Sequence, residues 1–445
     1  MDVTELIHAD LTTQSQALAA GRVSSVALTQ AHLDAIAARP ALNAYLHVDV
    51  EGALRGAARS DARRAAGMAA GPLDGLTVGV KDNIDVAGLP TTAGMATRRD
   101  RIAAQDAFAV ARLRAAGMVV LGKLNMHEAA LGATNDNPHY GRCENPHRAG
   151  FTPGGSSGGS GSAVAAGLCA LALGTDTMGS VRIPAAYCGV TGLKASYGRI
   201  STGGSIACSY ALDHIGPLVR ARRDLALVMP ALAAFDAACP DARDLPHRPA
   251  LTAPRWVAAS DIEALGVSYA VAAAYRRVLK ALRARGDEIT EIALAGYDFG
   301  RARRAGLLIC EADLLVQHAA DWQATPELFS AELTRFLRYG EKQPAAAYAG
   351  AMRTTAAAHV EVARWFSHGD VMLLPTAPQQ AFAFGEPVPA NQADLTSIAN
   401  MAGVPALTVP LPVAEGELPI GLQLIAPLGA EATLLAADLN GICKP

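Results

Sequence analysis

The segment FTPGGSSGGSGSAVAAGLCALALGTDTMGS, at residues 151–180, is the stretch on which the interpretation of the fold depends. Residues 151–167 hold six glycines and four serines, a composition shared by flexible linkers, phosphate-binding loops and catalytic loops. An apolar helix that begins near Ser160 and a strand at 168–173 follow directly, whereas a flexible linker would lead into a separate folded unit. The segment therefore predicts a loop, a helix, a strand and a second loop inside one α/β domain.

Strand and helix patterns alternate over much of the remaining chain. Short apolar runs predict strands at 76–80, 118–121, 168–173, 255–259, 288–294, 371–374 and 406–409. Amphipathic or alanine-rich patterns predict helices at 14–20, 25–38, 52–70, 106–117 and 269–285, with mainly helical structure over 302–368. Strands that alternate with helices favour a mostly parallel sheet with right-handed crossovers.

We expect one domain over residues 1–445, because neither a repeat nor a linker divides the chain. Within it, residues 1–70 form N-terminal helices, 71–235 form the core and 300–370 form a helical lobe. Residues 236–254 are rich in Asp, Pro and Ala and predict a long surface connection.

Composition excludes several classes of protein. A net charge of -3 gives no long-range attraction to nucleic acid or to an anionic membrane. The longest run of low polarity, 162–174, is shorter than the roughly 18 apolar residues of a membrane span. Seven cysteines without a C-x-x-C pair offer no metal spacing and favour a reduced chain, and the N-terminus lacks a secretory signal. We therefore expect a cytoplasmic protein without a metal site.

The glycine-rich loop could hold a phosphate group or take part in catalysis. A P-loop needs Gly-Lys-Ser/Thr, but no lysine lies within 151–167. Phosphate binding by backbone N–H groups alone remains an alternative. A second Gly/Ser segment, GTDTMGSVRIP at 174–184, follows the strand that ends near Leu173. Ser180 therefore lies at the C-terminal end of a strand, where ligands bind in open α/β sheets. This position predicts a nucleophile beside free backbone N–H groups.

A serine nucleophile needs a base, and Lys81 is the candidate. It ends the buried strand predicted at 76–80, a position too apolar for an ordinary solvated lysine. The alternative is a structural lysine paired with Asp82 or Asp85. Structural hydrogen bonds are the expected role of the histidines at 127, 139, 147 and 214.

Lys81, the Gly/Ser loop and the 174–184 segment, in this order, resemble the amidase signature family. The resemblance extends to KDNIDVAGLPTTAG, LGKLNMHEAALG, NPHYGRCENPH, GTDTMGSVRIPAAYCGVTGLKASYGRIS, LDHIGPLVR, IANMAGVPALTVPLP and LPIGLQLIAP. It covers the chain from about residue 5 to 430. It implies the amidase-signature fold, a large mixed and mostly parallel sheet covered by α-helices on both faces.

The resemblance also implies a catalytic triad of Ser180 as nucleophile, Ser156 as relay and Lys81 as base. To act at neutral pH the lysine must lose its proton, which requires burial to lower its pKa by about 3 units. Gly155 and Ser157 are expected to support the conformation of the loop that carries Ser156. The resemblance also implies a cis peptide bond between Gly155 and Ser156. The expected oxyanion-hole donors are the backbone N–H groups of Thr177, Met178, Gly179 and Ser180. We expect no cofactor.

Met178 departs from the family pattern, which usually has glycine at this position. We expect its backbone to tolerate a side chain and the side chain to narrow or reshape the acyl pocket. Structural roles are expected for Asp176, Arg182 and Asp213.

The resemblance implies an amide-bond hydrolase that works through an acyl-enzyme. We expect it to act on small apolar or aryl amides and on carbamates (urethanase activity). The substrate channel is expected along 307–348 and 379–386. Aromatic side chains of these segments favour an apolar substrate: Phe329, Phe336, Tyr339, Phe382 and Phe384. The family resemblance also allows a homodimer.

Two alternatives stay open. A glutamine-hydrolysing component of an amidotransferase complex would share the triad, but RFLRYGEKQPAAAYAGAMR differs from the stretch expected of that branch. A catalytically inactive binding module is disfavoured because all three catalytic positions are filled.

Overall fold

The computed structural model describes residues 2–443, and its centre is one mixed sheet of eleven strands. In chain order the strands are β1 (Tyr45–Val48), β2 (Thr77–Lys81), β3 (Val119–Leu124), β4 (Leu171–Asp176), β5 (Thr191–Lys194), β6 (His214–Val219), β7 (Trp256–Ala259), β8 (Ile289–Ile292), β9 (Val371–Pro375), β10 (Ala406–Pro410) and β11 (Gly421–Ile425). Their order across the sheet is β1-β3-β2-β4-β6-β5-β10-β11-β9-β7-β8. The predicted α/β class and the large mixed sheet are confirmed.

Fifteen α-helices surround this sheet in the part of the chain that the structure describes. They are α1 (Val3–Leu6), α2 (Leu11–Ala19), α3 (Ser25–Ala38), α4 (Val50–Ala65), α5 (Phe108–Ala115), α6 (Gly158–Ala165), α7 (Arg182–Cys188), α8 (Leu225–Leu232), α9 (Tyr269–Arg285), α10 (Phe299–Gln317), α11 (Ala319–Ala324), α12 (Ala331–Glu341), α13 (Ala345–Phe366), α14 (Asp394–Met401) and α15 (Glu431–Ala436). None of these helices in residues 2–443 is long and apolar enough to cross a membrane.

The expectation of a mostly parallel sheet is wrong, because six of the ten strand pairings are antiparallel. Parallel pairs form two groups, β3-β2-β4 and β9-β7-β8. In the middle of the sheet, β6 lies antiparallel between β4 and β5, and residues 411–420 join the antiparallel pair of β10 and β11. Strand–helix alternation therefore describes the two outer groups but not the centre.

Helices cover both faces of the sheet, as the family resemblance implied. Successive residues of β4 alternate between two apolar clusters, because neighbouring side chains of a strand point to opposite faces. Leu171 and Leu173 belong to the cluster that includes residues of α5 and α8, whereas Ala172 belongs to the one that includes residues of α4 and α6. Both faces of β4 are therefore buried.

The sequence of helix α9 explains both its buried face and the residue at which it ends. Its buried side chains recur at intervals of one to three residues, which gives the helix one apolar face. Gly286 follows with a φ of +92°, a left-handed conformation that favours glycine, and ends the helix. The helix has the bounds predicted from the sequence. The predicted surface connection at 236–254 likewise contains neither helix nor strand.

The sheet brings the predicted site residues together at the C-terminal ends of β2 and β4. β2 and β4 are parallel neighbours in which Val80 lies opposite Leu173. Lys81 and Thr175 therefore meet where the two strands end, and the 177–181 turn continues from β4 into α7. Helices α10 to α13 are inserted between β8 and β9, and α10 packs against α14.

Candidate active site

Lys81 lies at the end of β2 with its side chain fully buried. Its Nζ donates hydrogen bonds to Ser156 Oγ and Thr175 Oγ1, both at 2.7 Å. Neither aspartate considered from the sequence pairs with it, because Asp82 pairs with Lys123 and Asp85 with Arg101. Burial lowers the pKa of Lys81 to about 7, and the negative charge of a nearby carboxylate, Asp213, partly opposes this shift.

The glycine-rich loop holds Ser156 and Ser157 next to the end of β4. The Gly155–Ser156 peptide bond is cis, as expected. Ser157 Oγ donates to the Thr175 carbonyl at 3.1 Å, and its backbone N–H donates to the Ser180 carbonyl at 3.2 Å. A Cβ on Gly155 would lie 2.8 Å from the backbone at Thr134, so the loop passes too close to its neighbour for a side chain there.

Ser180 lies in the turn between β4 and α7 and lines a cavity of about 380 Å³. It is half-buried, whereas Lys81 and Ser156 are fully buried. Within residues 2–443, the N–H groups of Thr177, Met178 and Ser180 have no hydrogen-bond acceptor. The turn therefore presents three free donors beside the Ser180 side chain.

Gly179 differs from the other three expected donors. Its N–H donates to Asp176 Oδ1 at 2.8 Å and so is not free. Its φ of +130° suits glycine alone, and a Cβ there would lie 2.3 Å from Thr396 Oγ1. Gly179 therefore fits the turn closely against α14.

The buried ion pair between Asp176 and Arg182 anchors this turn. Besides Gly179, the Asp176 carboxylate accepts the Val181 N–H at 3.1 Å and Arg182 Nε at 3.0 Å. Arg182 in turn donates to Gln423 Oε1 at 2.6 Å. Burial alone would raise the pKa of Asp176, but the positive charge of Arg182 and its hydrogen bonds keep that pKa below its ordinary value. These contacts agree with the structural roles expected for both residues.

Sequence reasoning missed the part that Thr175 and Asp213 take in the site. Thr175 supplies the second hydroxyl bound to Lys81. Asp213 accepts a hydrogen bond from Thr177 Oγ1 at 2.6 Å, and burial raises its pKa to about 6. For Thr175 the sequence held a signal in GTDT, at residues 174–177. Its two threonines flank the last residue of a strand, so both present hydroxyl groups at the strand end.

The cavity wall matches only part of the expected channel. The 307–348 segment contributes Leu307, Cys310, Glu332, Arg335 and Phe336, but no residue of 379–386 lines the cavity. The neighbouring residues 388–390, 392 and 393 do so instead. The pattern at 379–386 was misleading because its aromatics pack elsewhere: Phe382 on Tyr187 and Phe384 on Arg142.

The wall also carries charge that the expected aromatic lining did not include. Arg303 pairs with Asp394 at 2.6 Å, and Glu332 lies 3.6 Å from His127. Arg335 forms no ion pair with any residue between 2 and 443, and its guanidinium carbon lies 5.2 Å from the centre of the Phe336 ring.

We expect Asp176→Asn to lower the free energy of unfolding by about 3–5 kcal/mol, because it leaves a buried guanidinium without its counter-charge. Urea unfolding followed by fluorescence measures the change. Asp100→Asn, on the surface, is the matched control and should lie within about 0.5 kcal/mol of the unsubstituted protein. Equal stability of the two variants would contradict the anchoring role of the ion pair.

The chain matches a known protein family over most of its length. The Amidase family model matches residues 27–435. A glutamyl-tRNA(Gln) amidotransferase subunit from Thermus thermophilus is 41% identical over 397 residues, which cover 83% of this chain and 84% of that protein.

Solved structures give the same family. A chain from a vestigial protein complex that reveals the evolutionary origins of an s-triazine catabolic enzyme has a TM-score of 0.91 and 33% identity, with 98% of this chain and 99% of that chain covered. Native peptide amidase from Stenotrophomonas maltophilia has a TM-score of 0.84 and 29% identity, with 96% and 95% covered. The chain therefore belongs to the amidase family and is a hydrolase of C–N amide bonds.

Proposed function

We propose that Ser180 is the nucleophile of this hydrolase and that Ser156 and Lys81 move its proton. The observation that carries the proposal is a fully buried lysine, hydrogen-bonded to Ser156 Oγ at 2.7 Å, next to the cavity that contains Ser180. A lysine with a pKa of about 7 is unprotonated in a large fraction of molecules at neutral pH.

In the proposed reaction, neutral Lys81 takes the proton of Ser156 as Ser156 takes the proton of Ser180. The Ser180 oxygen attacks the substrate carbonyl carbon and forms a tetrahedral intermediate. The proton then returns through Ser156 to the leaving nitrogen, the C–N bond breaks, and an acyl-enzyme remains. Water attacks the ester by the same proton route and releases the acid.

The proposed oxyanion hole consists of the N–H groups of Thr177, Met178 and Ser180. Three donors on one turn can point at the oxygen that becomes negative in the intermediate, and losing one such donor typically costs about 10²-fold or more in rate. We leave Gly179 out of the hole, unlike the expectation from the sequence, because its N–H is bound to Asp176.

The proposed substrate is a small amide with an apolar or aryl body. A cavity of about 380 Å³ suits a small molecule, and apolar side chains supply much of its wall, including Leu131, Ile183, Leu307 and Phe336. Carbamates present the same planar N–C=O group and fit the same chemistry.

A second candidate function is hydrolysis of glutamine for a partner enzyme. The identity to the amidotransferase relative favours it. Arg335 and Glu332 in the wall also suit the carboxylate and ammonium groups of an amino acid. We rank this function second because most of the residues that line the cavity are apolar, and an aryl amide would cover them.

The rates on a substrate panel test the ranking. We expect an aryl anilide and an aryl carbamate to be hydrolysed with a higher kcat/KM than a short aliphatic amide or glutamine, because they bury more apolar area in the cavity. Ser180→Ala should abolish all four activities and labelling by a fluorophosphonate. Hydrolysis of glutamine alone would favour the second candidate, and an unlabelled wild-type protein without activity would indicate a binding module.

The pH profile of kcat/KM tests the role of Lys81. Only the unprotonated amine accepts a proton, so the rate should rise with pH through a midpoint at about 7 and level off above it. Lys81→Met should reduce the rate by at least about 10²-fold, while Lys280→Met on an exposed helix position should not change it. A profile that is flat between pH 5 and 9 would exclude Lys81 as the base.

Met178 provides a test of acyl-chain size. Its φ is not positive, and a Cβ placed on Gly306 would lie 2.9 Å from Met178 Sδ, so the side chain reaches from the turn to α10. We expect Met178→Gly to shift the ratio of kcat/KM for bulky over small acyl groups upward by about tenfold. Met178→Leu keeps the volume and serves as the control. An unchanged ratio in Met178→Gly would contradict the hypothesis.

A further inference from the structure

A second cavity, of about 280 Å³, lies at the opposite end of the strands from the candidate active site. Its wall includes Val119 and Val120 at the start of β3, and Val119 lies opposite Thr77 at the start of β2. Lys81 is at the other end of β2, about 13 Å along the strand. The amide-hydrolysing machinery therefore does not account for this cavity.

Four arginines line it. Arg55, Arg59 and Arg63 recur every fourth residue of α4 and so share one face of that helix, and Arg114 comes from α5. Like charges at this spacing repel one another and destabilise a helix. An arrangement of this kind is better tolerated when an anion lies among the guanidinium groups.

The carboxylates that pair with these arginines lie outside the cavity wall. Arg55 pairs with Glu51 at 3.2 Å, Arg63 with Asp74, and Arg114 with Asp106 at 3.4 Å. The one carboxylate in the wall, Asp49, accepts the Gly52 N–H at 3.0 Å as the N-terminal cap of α4. The charged groups of the cavity wall are therefore four guanidinium groups and one carboxylate.

Arg59 is the exception among the four. It makes neither an ion pair nor a hydrogen bond with any residue from 2 to 443. A guanidinium carries five N–H donors, so Arg59 has all of its donors available and its three neighbours retain some of theirs. The surroundings therefore offer donors from several directions to one small ligand.

The floor of the cavity consists partly of backbone. Gly52, Gly56 and Gly117 line it, and two of these glycines are inside α4, where glycine is unfavourable. A Cβ on Gly56 would lie 3.9 Å from Arg59 Nη2, so the guanidinium folds back over this glycine. Because these glycines have no side chains, a small ligand can reach the backbone beneath the arginine cluster.

We propose that this cavity binds a phosphoryl group, either as inorganic phosphate or as part of a phosphorylated small molecule. A tetrahedral dianion has oxygens that point in several directions and can take hydrogen bonds from more than one guanidinium fork. A carboxylate, in contrast, is saturated by one or two forks. The site is separate from Ser180, so its occupation does not depend on the proposed reaction.

Titration calorimetry of the full chain at low salt tests the proposal, with inorganic phosphate, AMP and acetate as separate probes. We expect phosphate or AMP to bind at least tenfold more tightly than acetate, and Arg59→Gln to weaken that binding at least tenfold. Tighter binding of AMP than of phosphate identifies a phosphorylated molecule as the ligand, and the reverse identifies the free ion.

Arg301→Gln, an exposed helix arginine away from the cavity, is the matched control and should bind as the unsubstituted protein does. Amide hydrolysis by Arg59→Gln should be unchanged, which verifies that the variant is folded. Absence of binding by every probe up to about 10 mM, or equal phosphate binding by Arg59→Gln and the unsubstituted protein, would overturn the proposal.

Discussion

The ion pair between Asp176 and Arg182 connects the parts of the chain that form the candidate site. Its carboxylate fixes the backbone of the turn that carries Ser180, and its guanidinium reaches Thr396 in α14 and Gln423 in β11. Both charges are fully buried, so each depends on the other for compensation. A single interaction thereby couples the end of β4 to segments more than 200 residues away in sequence.

Lys81 differs from two other fully buried lysines, Lys123 and Lys194, in its hydrogen-bond partners. Lys123 pairs with Asp82 at 3.3 Å and holds the loop that follows β2. Lys194 lies 3.2 Å from His214 Nε2, and burial lowers its pKa well below the ordinary value. Lys123 also donates to the Pro90 carbonyl, and Lys194 donates to the Ala195 carbonyl. Buried amines therefore recur in this fold. What distinguishes Lys81 is that it donates to two hydroxyls, those of Ser156 and Thr175, whose chain neighbours Gly155 and Thr177 line the cavity with Ser180.

The sequence predicted the two groups of parallel strands and the contact between Lys81 and Ser156 better than it predicted the antiparallel centre and the cavity wall. α9 and β2 follow from local periodicity, and Lys81 and Ser156 are hydrogen-bonded as the family resemblance implied. β6 was missed because its Gly-Pro interior lacks a strand pattern and its partners lie on either side of it in the sheet, distant in sequence. Residues 388–393 were missed because a proline-containing loop acquires its position only from the packing of α14.

The insertion of α10 to α13 between β8 and β9 separates two functions along the chain. The proposed reacting groups come from residues 81 to 180, on strands and turns of the sheet. Much of the wall of the candidate substrate cavity comes from residues 303 to 393, on helices and loops outside the sheet. Changes in the second segment can therefore alter which amide is admitted without disturbing the hydrogen bonds of the first, so that one catalytic apparatus can be combined with many substrate ranges.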